Sequence, residues 1–437
     1  MDPIATAGAT LALVLIFLGT GTWVFSALLL VSVSALVFLL DFSPARLGST
    51  MQAIVWRSST TWELAAIPMF IWMGEIILRT DLAVRLFKAL TPLVDAIPGR
   101  LLHTNVTGCT LFAAVSGSSA ATTATVGKIT VRELTDQRYN SNLMVGSLAG
   151  AGSLGLLIPP SLVMIIYGVL AEVSIARLFA AGIVPGLFIA FLYAGYIGIR
   201  CWLNPELAPQ HGTRYSFAEK ISASTGLIPI SLLICIVLGG IYTGFATPSE
   251  AAALGVTATL IMAAVMRQLN WTVITDSVMN AVSTSCMICS LLVSAALLST
   301  AVGYLHIPAD LANWIEQLNL SPYSLIFVLA IFYIILGFFL DGVSITVMSL
   351  PITLPLAVNA GFDPVWFGVF LVVMVELAQI TPPVGFNLFV IQGITGMPIG
   401  AVAKAAFPFF ILMCLAITVM TIYPQIVLFV PDAIYNK

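Results

Sequence analysis

Charge is what this chain has least of. Only 8% of its 437 residues are Asp, Glu, Lys or Arg, while 60% are apolar. A soluble globular surface uses about 25% charged residues, so water cannot be the solvent for most of this one. Lipid is the alternative, and a hydrocarbon layer about 30 Å thick takes ~20 apolar residues per helical span. About ten spans with short connections use up the length, which leaves no separate soluble domain. The net charge of -3 carries no basic excess, so nucleic acid is excluded as a partner. The six cysteines are scattered through apolar stretches and form no disulfide framework. Cys286 and Cys289 make a CxxC, yet nothing near them completes a zinc set, and both read as helix packing. His103, His211 and His306 are too widely separated for local metal-ligand spacing. The opening segment lacks a basic n-region and a small-residue cleavage site, and reads as a retained membrane helix.

What is present is long apolar runs, near residues 5–20, 22–41, 62–78, 141–170, 175–200, 226–245, 248–267, 283–303, 363–396 and 404–430. Two further pairs, at about 101–134 and 322–357, are cut by Ser116-Gly117-Ser118-Ser119 and by Asp341-Gly342-Val343-Ser344. Each pair reads as two half-helices meeting at a tip inside the membrane, a re-entrant hairpin. The basic residues support that reading. With both pairs re-entrant, Arg79, Arg85, Lys88, Arg100, Lys128, Arg132, Arg138, Arg200, Arg214, Lys220, Arg267 and Lys404 share one face, leaving Arg46, Arg57, Arg177 and Lys437 on the other. The positive-inside rule makes the crowded face cytoplasmic. The first hairpin then opens to the cytoplasm, the second opens outward, and both termini are periplasmic. Residues 80–97 and 305–320 are amphipathic and suit helices lying along the interface. The tryptophans, Trp366 among them, mostly fall near span ends and read as interfacial anchors.

The chain repeats itself. The step in numbering from Pro159-Pro160 to Pro382-Pro383 is the same as the step from Pro185 to Pro408. A slightly wider step, again constant, carries Gly74 to Gly303 and Asp81-Leu82-Ala83 to Asp310-Leu311-Ala312. Residues 1–202 and 226–437 are therefore two repeats, joined by a linker at 203–225. Each holds scaffold helices, an interfacial helix, a hairpin and a proline-broken helix, at about 141–170 and 363–396. The basic-residue distribution gives the halves opposite orientation. Inverted repeats with discontinuous helices are the mark of secondary transporters, which bind solute and ions at the breaks near the midplane.

A proline pair removes two backbone donors, so carbonyls around Leu156 to Pro160 and Gln379 to Pro383 lose helical partners. In lipid they must face protein, water or a cation. A hard cation such as sodium takes oxygen ligands. Ser116, Ser118, Ser119, Thr122, Ser344, Thr346 and Thr381 offer hydroxyls beside the breaks, and Gly117, Gly152, Gly155, Gly342 and Gly385 allow close backbone approach. Helix N-termini at the tips would present amide donors to an anion. A sodium-coupled carrier of an organic anion suits both features. Asp341 and Glu376 are the intramembrane acids most suited to a direct role, with a structural hydrogen bond as the alternative. Glu75 and Glu250 read as structural. Asn387 either orients solute or ties the broken helix to its neighbour. A serine hydrolase using Ser116 or Ser118 would need a positioned base, and only Lys128 is a candidate.

The strings SGSSAATTATVGK (Ser116 to Lys128), GSLGLLIPPS (Gly152 to Ser161), GGIYTGFATPSEAAA (Gly239 to Ala253), LDGVSITVMSLPITLP around Asp341 and ITPPVGFNLFV (Ile380 to Val390) resemble the DctM-type large membrane subunit of TRAP transporters. These are the tripartite ATP-independent periplasmic carriers, and the resemblance runs over essentially the whole chain. It implies an all-α polytopic membrane protein working by an elevator-type movement in the bacterial inner membrane. It also implies a small four-helix DctQ-type membrane subunit, a DctP-type periplasmic solute-binding protein, a carboxylate-bearing solute, and sodium as coupling ion with no other cofactor. A self-sufficient sodium/dicarboxylate-type carrier is the alternative. By resemblance the sodium sites involve Ser116, Gly117, Ser118, Ser119, Gly152, Pro159, Asp341, Gly342, Ser344, Thr381 and Pro382. The solute then lies near Ser118, Thr122, Pro160, Thr346, Pro383 and Asn387, with Glu376 close by. Thr122 and Thr123 stand where the first tip more often has acidic or alanine residues, and Gln379 stands where a small aliphatic residue is usual. No four extra spans precede the first repeat, so the small subunit is expected as a separate chain.

Overall fold

The computed structural model describes residues 3–209, 215–317, 321–383 and 385–435. His211, Gly212, Arg214 and Lys437, with both extreme termini, lie outside the described residues. With no water to satisfy backbone amides in lipid, apolar runs become helices, and no strand occurs among the described residues. The first half runs α1 (Pro3–Gly19), α2 (Val24–Ser34), α3 (Pro44–Ser59), α4 (Ala66–Leu78), α5 (Leu82–Val94), α6 (Leu102–Ser116), α7 (Ser119–Asp136), α8 (Ser141–Gly152), α9 (Leu162–Leu170) and α10 (Ile175–Leu203). After α11 (Phe217–Ser224) come α12 (Ile228–Tyr242), α13 (Pro248–Val265), α14 (Trp271–Tyr304), α15 (Ile307–Gln317), α16 (Pro322–Leu336), α17 (Gly342–Asn359), α18 (Pro364–Gln379), α19 (Phe386–Thr395), α20 (Ile399–Ile422) and α21 (Gln425–Tyr435).

The repeat is visible in the boundaries. α7 and α17 are both 18 residues long, and the step that relates the proline pairs carries both ends of one onto both ends of the other. Their N-caps match as well: Ser118 accepts from the Ala121 amide, and Asp341 accepts from the Val343 and Ser344 amides. α8 and α18 are capped in the same register by Asn140 and Asp363. One pair differs between the halves. α14 is a single helix of 34 residues, whereas α3 and α4, which align with it, meet at a 53° bend. The bend falls at Thr60-Thr61, whose hydroxyls bond back to the carbonyls of Trp56 and Arg57, a pattern that bends helices.

Among the described residues, six helices are long and apolar enough to cross a membrane singly, or seven with the bent pair counted as one. Breaks at mid-chain leave α8, α9, α18 and α19 as shorter pieces. α3 has no apolar run to announce it: none of its 16 residues is buried, and it starts from the Ser43 cap and Pro44. Trp366 is no interfacial anchor. It is 1% exposed, stacked between Phe362 and Phe370, and its indole donates to the Met420 carbonyl. Elsewhere small residues bring helices together: a Cβ on Gly146 of α8 would run into the Ala405 carbonyl oxygen of α20.

Candidate functional site

The first tip is the turn between α6 and α7. Gly117 takes a left-handed φ of +60°, and a Cβ there would sit 2.9 Å from the Pro160 carbonyl oxygen. The tip therefore abuts the first break. Within the tip, the Ser116 and Thr122 hydroxyls are 2.7 Å apart. The break runs from Ser153 to Ser161, with every residue from 151 to 161 buried, and the Ser161 hydroxyl caps α9.

The second tip lies between α16 and α17. Asp341 is exposed there, capping α17 through the Val343 amide at 3.1 Å and also accepting from the Ser344 hydroxyl. Thr346 bonds back to the Gly342 carbonyl at 2.8 Å. In the second break the Thr381 hydroxyl donates to the Leu377 carbonyl at 2.6 Å, and Pro382 and Pro383 are exposed. Both proline pairs hold a cis bond.

One cluster joins the halves. The Ser119 hydroxyl lies 2.9 Å from the Gly152 carbonyl oxygen and 2.9 Å from Glu376 Oε2, and it accepts from Asn387 Nδ2 at 2.6 Å. It has one proton, so it donates to one of the first two at a time. Glu376 Oε1 accepts the Leu156 amide of the first break at 2.5 Å. Glu376 is 0% exposed. Close backbone approach makes this possible: a Cβ on Gly155 would collide with the Ser119 Cα. Thr123 Oγ1 and Asn387 Oδ1 are buried here without a hydrogen-bond partner among the described residues. Gly342, at the second tip, faces Val375, Gln379 and Leu156, so that tip packs on the same stretch of α18.

Of the residues singled out from sequence, the fold thus gathers Ser119, Gly152, Glu376 and Asn387, and it seats Gly117 on Pro160. The polar side chains of Asp341, Ser344, Thr346 and Thr381 instead bond within their own helix or cap. Sequence reasoning missed Thr123 and the Leu156 amide as members of the cluster. The departure of Thr123 from the usual pattern was the available signal. One cavity adjoins α9 and α17, and another adjoins the second break. A cleft of about 840 Å³ is lined by Arg57, Glu172, Ser299, Thr300 and Pro351, with Arg57 and Glu172 paired at 2.7 Å. A second, about 410 Å³, is lined by Thr381, Pro382, Lys404, Phe407 and Phe410.

The model of the DctM component of tripartite ATP-independent periplasmic transporters matches residues 11–426. The chain belongs to this family. It is 35% identical, over 91% of its length and 93% of the relative's, to the C4-dicarboxylate TRAP transporter large permease protein DctM of Pseudomonas aeruginosa. It is 31% identical, over 92% and 93%, to the ectoine/5-hydroxyectoine TRAP transporter large permease protein UehC of Ruegeria pomeroyi. In fold it is similar to the YdaH transporter of Alcanivorax borkumensis, with a TM-score of 0.66 at 14% identity, covering 95% of this chain and 99% of that one. As a TRAP large permease the chain is a multi-pass membrane component of a tripartite transporter. The family is one of transporter permeases, which favours the carrier over the hydrolase alternative.

Proposed function

We propose that this chain is the transport subunit of a sodium-driven, binding-protein-dependent importer of a carboxylate-bearing solute in a bacterial inner membrane. Its partners are a small four-helix DctQ-type subunit and a DctP-type periplasmic binding protein, and both its termini are periplasmic. The observation that carries this reading is the convergence of both tips and the first break on α18 around Ser119 and Glu376. Hydroxyl and carbonyl oxygens of the kind a hard cation takes are concentrated there, including Thr123 Oγ1 and Asn387 Oδ1, which have no hydrogen-bond partner among the described residues. The N-termini of α7, α9, α17 and α19 stand at the four interruptions and offer positive dipole ends to an anion. The name of the Pseudomonas relative specifies C4-dicarboxylates, which are organic acids of this kind.

The solute lies between the tips, near Ser118, Thr122, Pro160, Thr346, Pro383 and Asn387. Sodium is held from Ser116 to Ser119, Gly152 and Pro159 on one side and from Asp341, Gly342, Ser344, Thr381 and Pro382 on the other. Hairpins and broken helices move together as the transport unit against the remaining helices.

Uptake into proteoliposomes carrying this chain with its small subunit tests the reading. An inward sodium gradient and a panel of carboxylates are applied, each with and without the cognate binding protein. Uptake that needs both sodium and the binding protein is expected. Uptake without the binding protein would mean a self-sufficient carrier, and uptake indifferent to sodium would overturn the coupling.

A further inference from the structure

Glu376 is the only Asp, Glu, Lys or Arg that is buried among the described residues. No ion pair reaches it there. Burying a carboxylate without a cation is costly, so its hydrogen bonds should explain its presence. Both of its oxygens are taken by the other half of the molecule. Oε1 accepts the Leu156 amide from the first break, and Oε2 accepts the Ser119 hydroxyl from the first tip, 220 and 257 residues away in the chain. Asn387, from the second half, donates to the same Ser119 oxygen. Ser119 is in turn wedged against Gly155, where no Cβ fits. One side chain of the second repeat thus fastens the two interruptions of the first repeat to each other.

We propose that Glu376 is a positioning residue: it pins the first tip to the first break in the geometry a coupling sodium ion needs. It acts as a double hydrogen-bond acceptor and neither touches the ion nor supplies its charge. This rests on the sodium coupling proposed above. Without the pin, the Leu156 amide and the Ser119 hydroxyl lose buried partners, and the carbonyls from Gly152 to Ile158 lose the contact that aims them.

Two substitutions separate a pin from a charge. Glu376→Gln removes the charge and keeps the reach: its amide oxygen accepts from Leu156, while its amide nitrogen donates to Ser119, which then donates to Gly152. Glu376→Asp keeps the charge and, one methylene shorter, cannot span both donors. The readouts are the sodium half-saturation of uptake in the reconstituted complex and the melting temperature of the chain with its small subunit in sodium chloride against choline chloride. A pin predicts that Glu376→Gln stays within about threefold of wild type in half-saturation and keeps the sodium-dependent rise in melting temperature. It predicts that Glu376→Asp raises half-saturation at least fivefold and loses most of that rise. The reverse order, or two variants that behave alike while wild type responds to sodium, overturns the pin and leaves the transport reading standing. A wild type indifferent to sodium in both readouts overturns both.

Discussion

The two proline breaks carry the same motif in the same register, yet they sit in opposite surroundings. The first is sealed: Pro159 and Pro160 are buried, Gly117 closes over the Pro160 carbonyl, and Glu376 reaches across from the other repeat to hold the Leu156 amide. The second is open: Pro382 and Pro383 are exposed, and a cavity of about 410 Å³ lined by Lys404 borders Thr381 and Pro382. An inverted repeat supplies two copies of one device, but a single conformation can favour access to only one of them. Asymmetry between symmetric sequences is what alternating access requires. The acidic pin shares in the asymmetry. In the repeat register Glu376 corresponds to Ser153, whose hydroxyl donates one turn back to the Gly150 carbonyl of its own half.

The strongest way to break the comparison is to force the sealed break open. Gly155→Val would place side-chain atoms where the Ser119 backbone already lies, and backbone cannot swing aside as a side-chain tip can. A cost of about 3 kcal/mol, roughly a hundredfold in the folded population, is expected from overpacking of this kind. Its counterpart in the repeat register is Ala378, a position that already carries a methyl group. Ala378 is 1% exposed and packs on Gly337, so Ala378→Val costs stability too. Its backbone already accommodates a Cβ, however, and it should lose less than Gly155→Val, as measured by melting temperature and yield of the assembled complex. Equal losses would mean that the two breaks are packed alike.

A gentler test reads access directly. Ile158 and Thr381 occupy equivalent places before the two proline pairs; Ile158 is 9% exposed, and Thr381 lines the open cavity. With the six native cysteines replaced, Thr381→Cys should react with a water-soluble maleimide at least tenfold faster than Ile158→Cys. Conditions that favour the opposite orientation should narrow or invert that ratio. A ratio near one in every condition would deny the asymmetry.

Much of this arrangement was legible in the sequence, because a repeat announces itself by spacing. The interrupted apolar pairs pointed to the two tips and the constant step to the two proline breaks, and the caps Ser118 and Asp341 obey that same step. What spacing cannot convey is which copy is covered. Burial depends on neighbours that are remote in the chain, as when Ser119 meets Glu376 across 257 residues. Trp366 misled for a related reason: apolar surroundings made of protein and of lipid read alike in hydropathy, so its buried stack resembled an anchor at a span end. α3 was silent because its polar and apolar residues alternate around the helix and form no long apolar run, the signal by which spans are read.

The smallest expected effect concerns the far side of the molecule, where Arg57 of α3 pairs with Glu172 after α9 at the edge of the larger cleft. This pair links α3 to the end of α9, so it has the placement of a clasp on the sealed side. Its exposure argues otherwise. The two side chains are 80% and 76% accessible, and water and salt screen an ion pair in that setting to under about 1 kcal/mol. Arg57→Ala should change uptake by less than about fivefold, with the difference shrinking as ionic strength rises at constant sodium. A larger loss, unaffected by salt, would show that the sealed break is held shut from its rim as well as from Glu376, and the contrast between the two breaks would then rest on two fastenings instead of one.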